Sequence, residues 1–204
     1  MHLFKKSKTL PGVDDLLITL KSKTRPSVLL SLASSAGHHK FGLKTSHIPA
    51  IANAFDDPAF HVFGDDPDMS DSKKKPEPDI FLLALDRLNR AETARRGRAL
   101  SPEECLVFED SIAGVEAARR AGMRVVWVPH PGLADVCRGR EVDVLMGKTE
   151  ENGNAPDFSA AIHDDKRRLL VTQDGRMMSE DGMAEMRPSL EDFPYQAYGI
   201  EVVV

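Results

Sequence analysis

Residues 1–147 of this chain predict an α/β fold: a mostly parallel, doubly wound sheet with helices on its faces. Three observations carry that expectation. Short apolar runs of strand length alternate with segments of helical period. The clearest run, Ser27 to Ala33 (SVLLSLA), is continuously apolar, as a strand buried on both faces must be. Polar residues with chemistry (Ser34, Asp65, Glu109 and Asp110) fall just past the ends of predicted strands, where open α/β sheets hold their ligands.

The elements follow in order. Pro11 opens a helix, in the first-turn position proline tolerates, and Leu16, Leu17 and Leu20 share one face of it. The strand at Ser27 to Ala33 is broken by Ser34-Ser35-Ala36-Gly37. Ile48, Ile51 and Phe55 mark a short helical region, and His61-Val62-Phe63 a brief strand. A polar loop, Gly64 to Pro76, leads to the clearest helix, opened by Pro78, with Phe81, Ala84, Leu85 and Leu88 at helical spacing. Cys105 to Phe108 is a strand, Ile112, Val115 and Ala118 mark the helix after it, and Gly122 suits that helix's C-terminus. Arg124 to Val128 reads as a strand stopped by Pro129, and Val142 to Met146 as the last strand.

From Lys148 to Arg187 the periodicity weakens. Leu169 to Met177 could form a hairpin about Asp174-Gly175, although a surface insertion or partly disordered segment is the favoured reading. The expected organisation is a core over 1–147, an acidic insertion over 148–187 and a C-terminal end of the core over 188–204.

Composition narrows the function. The chain has 204 residues, 41% hydrophobic and 29% charged, which suits one soluble domain with at most an appendage. No apolar run approaches the length of a membrane span, and the N-terminus has lysines without the apolar stretch of a secretory signal. Cys105 and Cys137 lack metal-site spacing and are too few for a disulfide framework. A cytoplasmic, monomeric protein is expected. Residues 1–147 carry 21 Lys and Arg against 20 Asp and Glu, and residues 148–204 carry 6 against 12. That balance argues against a nucleic-acid partner, with the short cluster Arg95, Arg96 and Arg98 read as a solvated helix end.

Several residues could do chemistry, each with a plainer alternative. Ser34 and Ser35 could hold a phosphate with their hydroxyls and backbone N–H groups, or form an ordinary turn. Lys75 could set a point charge against an anion, or belong to a solvated lysine run. Glu109 and Asp110 could bind Mg²⁺, or Asp110 or Ser111 could cap the following helix, with the acids favoured by its dipole.

Taken together, their order and spacing form a pattern. The stretches LLSLASSAG, GDDPDMSDSKKKPEPDIF and CLVFEDSIAGVEAARRAGMRVVWVP resemble the haloacid dehalogenase superfamily, and within it the pseudouridine-5′-phosphatase-like group. The resemblance covers residues 3 to about 147, and Ser189 to Ile200 looks like that group's C-terminal end. It implies a Rossmann-like sheet and Mg²⁺-dependent hydrolysis of a small sugar- or nucleotide-monophosphate. Ser34, with Ser35 beside it, then matches the serine that binds the phosphoryl group. Lys75 matches the catalytic lysine that balances the charge of nucleophile and phosphate, and Glu109 and Asp110 match the Mg²⁺ ligands.

One part of the family pattern has no match. The family's first motif, Asp-x-Asp at the end of the first strand, supplies a nucleophile and an acid–base partner. The only Asp-x-Asp here is Asp66-Pro67-Asp68, in the loop before Lys75, while Asp14-Asp15 is adjacent and lies on a helix. The expectation is therefore a core lacking the first central strand, the nucleophile loop and the helical cap. Such a chain would be inactive in this form, leaving a catalytically dead phosphate- or Mg²⁺-binding domain, or a non-functional truncated isoform, as alternatives.

Overall fold

The computed structural model describes residues 7–69, 72–148, 170–172 and 176–203. They divide into two compact units. The first takes its residues from 1–72, 83–99 and 189–204, and the second from 73–82 and 100–188. The predicted core 1–147 is thus shared between two units.

In the first unit, helix α1 (Val13–Ser22) buries Leu16, Leu17 and Leu20, the face its periodicity marked. Gly12 precedes it at φ 83°, where a side chain would collide with the backbone of Leu190 and Glu191. The C-terminal segment is tied there by the Leu190 amide, which donates to Pro11 O at 2.9 Å. Buried Thr24 ends the helix by donating to Leu20 O and accepting from the Val28 amide, both at 3.1 Å. Strands β1 (Leu32–Ser34) and β2 (His61–Phe63) pair in parallel with Ser34 opposite Phe63. The ladder is shorter than the expected Ser27 to Ala33 run: only its last residues find a partner strand. Helices α2 (His38–Thr45) and α3 (Pro49–Ala54) form the connection between the two strands. Helix α4 (Asp79–Arg96) begins in the second unit and continues in the first.

The second unit is built on one mixed sheet. Strands β3 (Leu106–Glu109), β4 (Arg124–Trp127) and β7 (Ala184–Met186) are parallel, and β6 (Met177–Met178) and β5 (Leu170–Val171) extend it antiparallel, in the order β3-β4-β7-β6-β5. Helices α5 (Ile112–Arg120), α6 (Pro131–Val136) and α7 (Glu141–Leu145) complete it. Val115, Ala117 and Ala118 of α5, Val125, Val126 and Trp127 of β4, and Val144 and Leu145 of α7 make its core. Burial of such apolar surface is the dominant stabilising contribution.

Two expectations change here. Val142 to Met146, read as the last strand, is helical from Glu141 to Leu145, since an apolar run of five cannot by its pattern choose between the two. The neighbour of β4 is instead β7, from the stretch expected as an insertion. Its middle residue, Glu185, is buried against Arg187, so an ion pair hides a core strand from a hydropathy reading. The antiparallel β5–β6 pair is the hairpin reading of Leu169 to Met177, although Leu169 and the turn at Asp174-Gly175 lie outside the described residues. Most of the expected disordered segment lies outside them too.

Candidate functional site

In the second unit the structure brings Lys75 and Glu109 together. β3 ends at Glu109, whose Oε1 accepts from the Lys75 ammonium in an ion pair with both side chains 8% exposed. The same carboxylate's Oε2 accepts from the Ser111 hydroxyl at 2.9 Å and the Ser111 amide at 3.3 Å. Ser111 is also the N-cap of α5, its Oγ accepting from the Gly114 amide at 3.1 Å. The carboxylate therefore lies over the first turn of α5, where negative charge is favoured. Gly114 makes room for it, because a β-carbon there would overlap the carboxyl group.

Lys75 reaches this place through its loop. The Asp79 carboxylate accepts from the Lys73 amide at 3.2 Å, and the Glu77 amide donates to Lys74 O at 3.0 Å, folding the lysine run back on the start of α4. The Lys75 ammonium sits 4.5 Å from the centre of the buried Phe81 ring. Lys73 and Lys74 are exposed, so only the third lysine of the run is an interior residue.

Asp110 differs from its neighbour. Its side chain is exposed and makes no hydrogen bond or ion pair among the described residues, while its backbone is anchored by Trp127, whose indole N–H donates to Asp110 O at 3.2 Å. Among the described residues no three His, Cys, Asp or Glu side chains cluster as a metal site. Two adjacent carboxylates are nonetheless a ligand number with which Mg²⁺ is held, alongside water and phosphate oxygens. Of the two, Asp110 is the outward one, and Glu109 is already engaged on both oxygens.

The first unit holds Ser34 as the last residue of β1 and Ser35 just past it. Ser34 Oγ accepts from the Ala36 amide at 3.2 Å, and its O–H makes no hydrogen bond among the described residues. The loop closes on Gly64, whose amide donates to Ala36 O at 3.2 Å and whose missing side chain admits the Ser35 carbonyl. Asp65, next to it, accepts from the His38 amide at 2.9 Å and so caps α2.

The same unit accounts for Asp66-Pro67-Asp68. Both carboxylates take the Arg87 guanidinium, Asp66 at 2.8 Å and Asp68 at 2.7 Å, and Asp66 also accepts from the Asp68 amide at 3.0 Å. Burial works to raise the Asp66 carboxyl, but Arg87 and the Asp68 amide hold it below the usual carboxylate range. This Asp-x-Asp is a loop clasp.

Sequence reasoning passed over the supports: Phe81, Gly114, Arg87 and Trp127. A signal existed for two of them. Phe81 closes the quoted stretch GDDPDMSDSKKKPEPDIF six residues after Lys75, a K-P-x-P-D-x-F spacing, and Gly114 follows the capping serine by three residues.

The comparisons agree with the motifs. A family model described as haloacid dehalogenase-like hydrolase matches residues 2–122, a stretch that contains Ser34, Lys75, Glu109 and Asp110. A Saccharomyces cerevisiae protein named "Probable pseudouridine-5′-phosphatase" is 40% identical over 141 residues, 69% of this chain and 55% of its own length. A Drosophila melanogaster protein with the same description is 35% identical over 143 residues, 70% of this chain and 55% of its own. An uncharacterized Schizosaccharomyces pombe protein is 34% identical over 151 residues, 74% of this chain and 59% of its own. The chain spans less than two thirds of the length of each of these relatives. No helix among the described residues is long and apolar enough to cross a membrane.

Proposed function

The chain belongs to the haloacid dehalogenase-like hydrolase family, and from that premise we propose that it carries the charge-balancing, metal-holding and phosphate-binding residues of a phosphomonoesterase. The substrate class is a small sugar- or nucleotide-monophosphate such as pseudouridine 5′-phosphate, the compound in the names of two of its relatives. The observation that carries the reading is the buried Lys75–Glu109 pair at the end of β3. A lysine is seldom buried without a partner and a task, and this one is held at a strand end where α/β sheets bind ligands.

In this reading the Lys75 ammonium offsets the negative charge that gathers as a phosphoryl group transfers. Glu109 and Asp110 would hold Mg²⁺, which when bound polarises a phosphoryl oxygen. Ser34 and Ser35 would donate to phosphoryl oxygens from a hydroxyl and from backbone N–H groups.

Residues 1–204 alone are proposed to be inactive, because their sole Asp-x-Asp is held by Arg87 in a loop clasp. Deleting the nucleophile in a covalent mechanism costs a factor on the order of 10⁶ in kcat, which positioning by the remaining residues cannot restore. Phosphate release from pseudouridine 5′-phosphate and other small phosphomonoesters, measured with Mg²⁺, should equal the blank. Fusing a strand, an Asp-x-Asp-Gly-Thr loop and a cap ahead of the chain should restore Mg²⁺-dependent hydrolysis, and Lys75→Ala should then abolish it. Turnover by the 204-residue chain, lost on Asp66→Asn or Asp68→Asn, would overturn the reading.

Phosphate binding gives a second handle. Inorganic phosphate should bind weakly and in a salt-sensitive manner, and Lys75→Ala should weaken it more than Lys73→Ala, since Lys73 is exposed. Equal effects of the two substitutions would reduce the lysine run to a charged loop.

A further inference from the structure

We propose that Phe81 is a positioning residue for Lys75, holding the ammonium over its ring face so that the charge stands at one place beside Glu109. The proposal rests on the reading of Lys75 as the phosphate-balancing lysine. Its basis is the distance of 4.5 Å from the Lys75 ammonium to the Phe81 ring centre, inside the range of a cation–π attraction.

The two contacts act on the ammonium in different ways. Lysine carries a point charge on a flexible four-carbon stem, and an ion pair with Glu109 constrains one direction only. The ring supplies a second surface, attractive to a cation and impermeable to water. Both groups are interior: the Lys75 side chain is 8% exposed and Phe81 is 6% exposed. In so dry a place the attraction exceeds its value at a surface.

The local chain is arranged to make the contact. Asp79 accepts from the Lys73 amide and brings the loop back toward the helix that carries Phe81. The Phe81 amide donates to Pro78 O at 2.9 Å, setting the ring in the first turn of α4. The spacing K-P-x-P-D-x-F thus has a physical content: Asp79 closes the loop and Phe81 receives the lysine. Packing alone would ask only for a large apolar side chain at position 81, which leucine also supplies.

The test uses the 204-residue chain and amine labelling of lysines read by peptide mass spectrometry, with exposed Lys73 as the internal reference. Phe81→Leu should raise the Lys75-to-Lys73 labelling ratio about fivefold, a factor within the reach of one cation–π contact. Replacing Phe81 by tri- and pentafluorinated phenylalanine keeps the ring's shape while draining its negative face. The ratio should climb stepwise with fluorination while the chain keeps a cooperative unfolding transition. A merely structural phenylalanine would give no such grading, and a ratio flat across the fluorinated series overturns the proposal. Should Phe81→Leu fail to fold, the fluorinated series decides by itself. A parallel set with added inorganic phosphate separates the two readings: phosphate that fails to protect Lys75 counts against the proposed function, while graded labelling still supports Phe81 as the residue that positions it.

Discussion

Gly114 lies in the first turn of α5 directly against the Glu109 carboxylate, so that a β-carbon at position 114 would overlap the carboxyl group. The overlapping atoms are the far end of a flexible side chain and not backbone. Glu109 can therefore swing aside, while alanine gains up to about 1 kcal/mol of helix propensity over glycine. Gly114→Ala should free Lys75, raising its labelling relative to Lys73, and should lower urea-unfolding stability by about 2 kcal/mol, the loss of the buried pair being offset in part by helix propensity. A large loss of stability with Lys75 still protected would show that Glu109 cannot move.

The Lys75–Glu109 pair should behave as a buried ion pair in a double-mutant cycle. Lys75→Met or Glu109→Gln alone strands a buried charge or an unmatched dipole and should cost about 3 kcal/mol. The double variant strands neither charge and should cost less than the two singles together by more than about 1 kcal/mol. Additive losses in urea titrations would mean that the two groups do not stabilise each other.

Mg²⁺ should bind the chain weakly, through Asp110 more than Glu109, because both Glu109 oxygens are already engaged. Calorimetric titration of the chain and of Asp110→Ala should show a small heat that the substitution removes. Identical heats for the two proteins would eliminate Glu109-Asp110 as a metal site.

Cys105 should be an inert thiol. Burial, with Glu104 and Glu103 nearby, pushes its pKa up to about 11, and the reactive species is the thiolate. A raised pKa leaves less thiolate at any given pH below it. Alkylation at pH 8 should therefore run on the order of 100-fold slower than for a free cysteine, and accelerate as pH climbs toward 11. Rapid modification at pH 8 in the folded chain would contradict that environment. Cys137, also raised by burial, should lag in the same assay.

What the sequence alone determined is the set of local features whose cause is local. The face of α1, the parallel strands at His61–Phe63 and Arg124–Trp127, and the capping serine of α5 follow from periodicity, apolar runs and cap chemistry, which act over a few residues. The order of Ser34, Lys75, Glu109 and Asp110 was legible for the same reason, since each sits beside a strand end or helix start that its neighbours define.

Only tertiary structure decided which of these groups meet. The K-P-x-P-D-x-F spacing marks Lys75 out from Lys73, but a carboxylate 34 residues away is what makes it an interior charge beside the ring at the head of α4. The carboxylates of Asp66 and Asp68 become a clasp only because Arg87, 21 and 19 residues further on, reaches back to them. Glu185 puts a charge in the middle of a three-residue buried strand, and its pairing with Arg187 is what makes it a core residue. Ion pairs and cation–π contacts between distant residues leave no periodic trace along the chain, because their energy depends on separation in space and on exclusion of water, both of which exist only after folding.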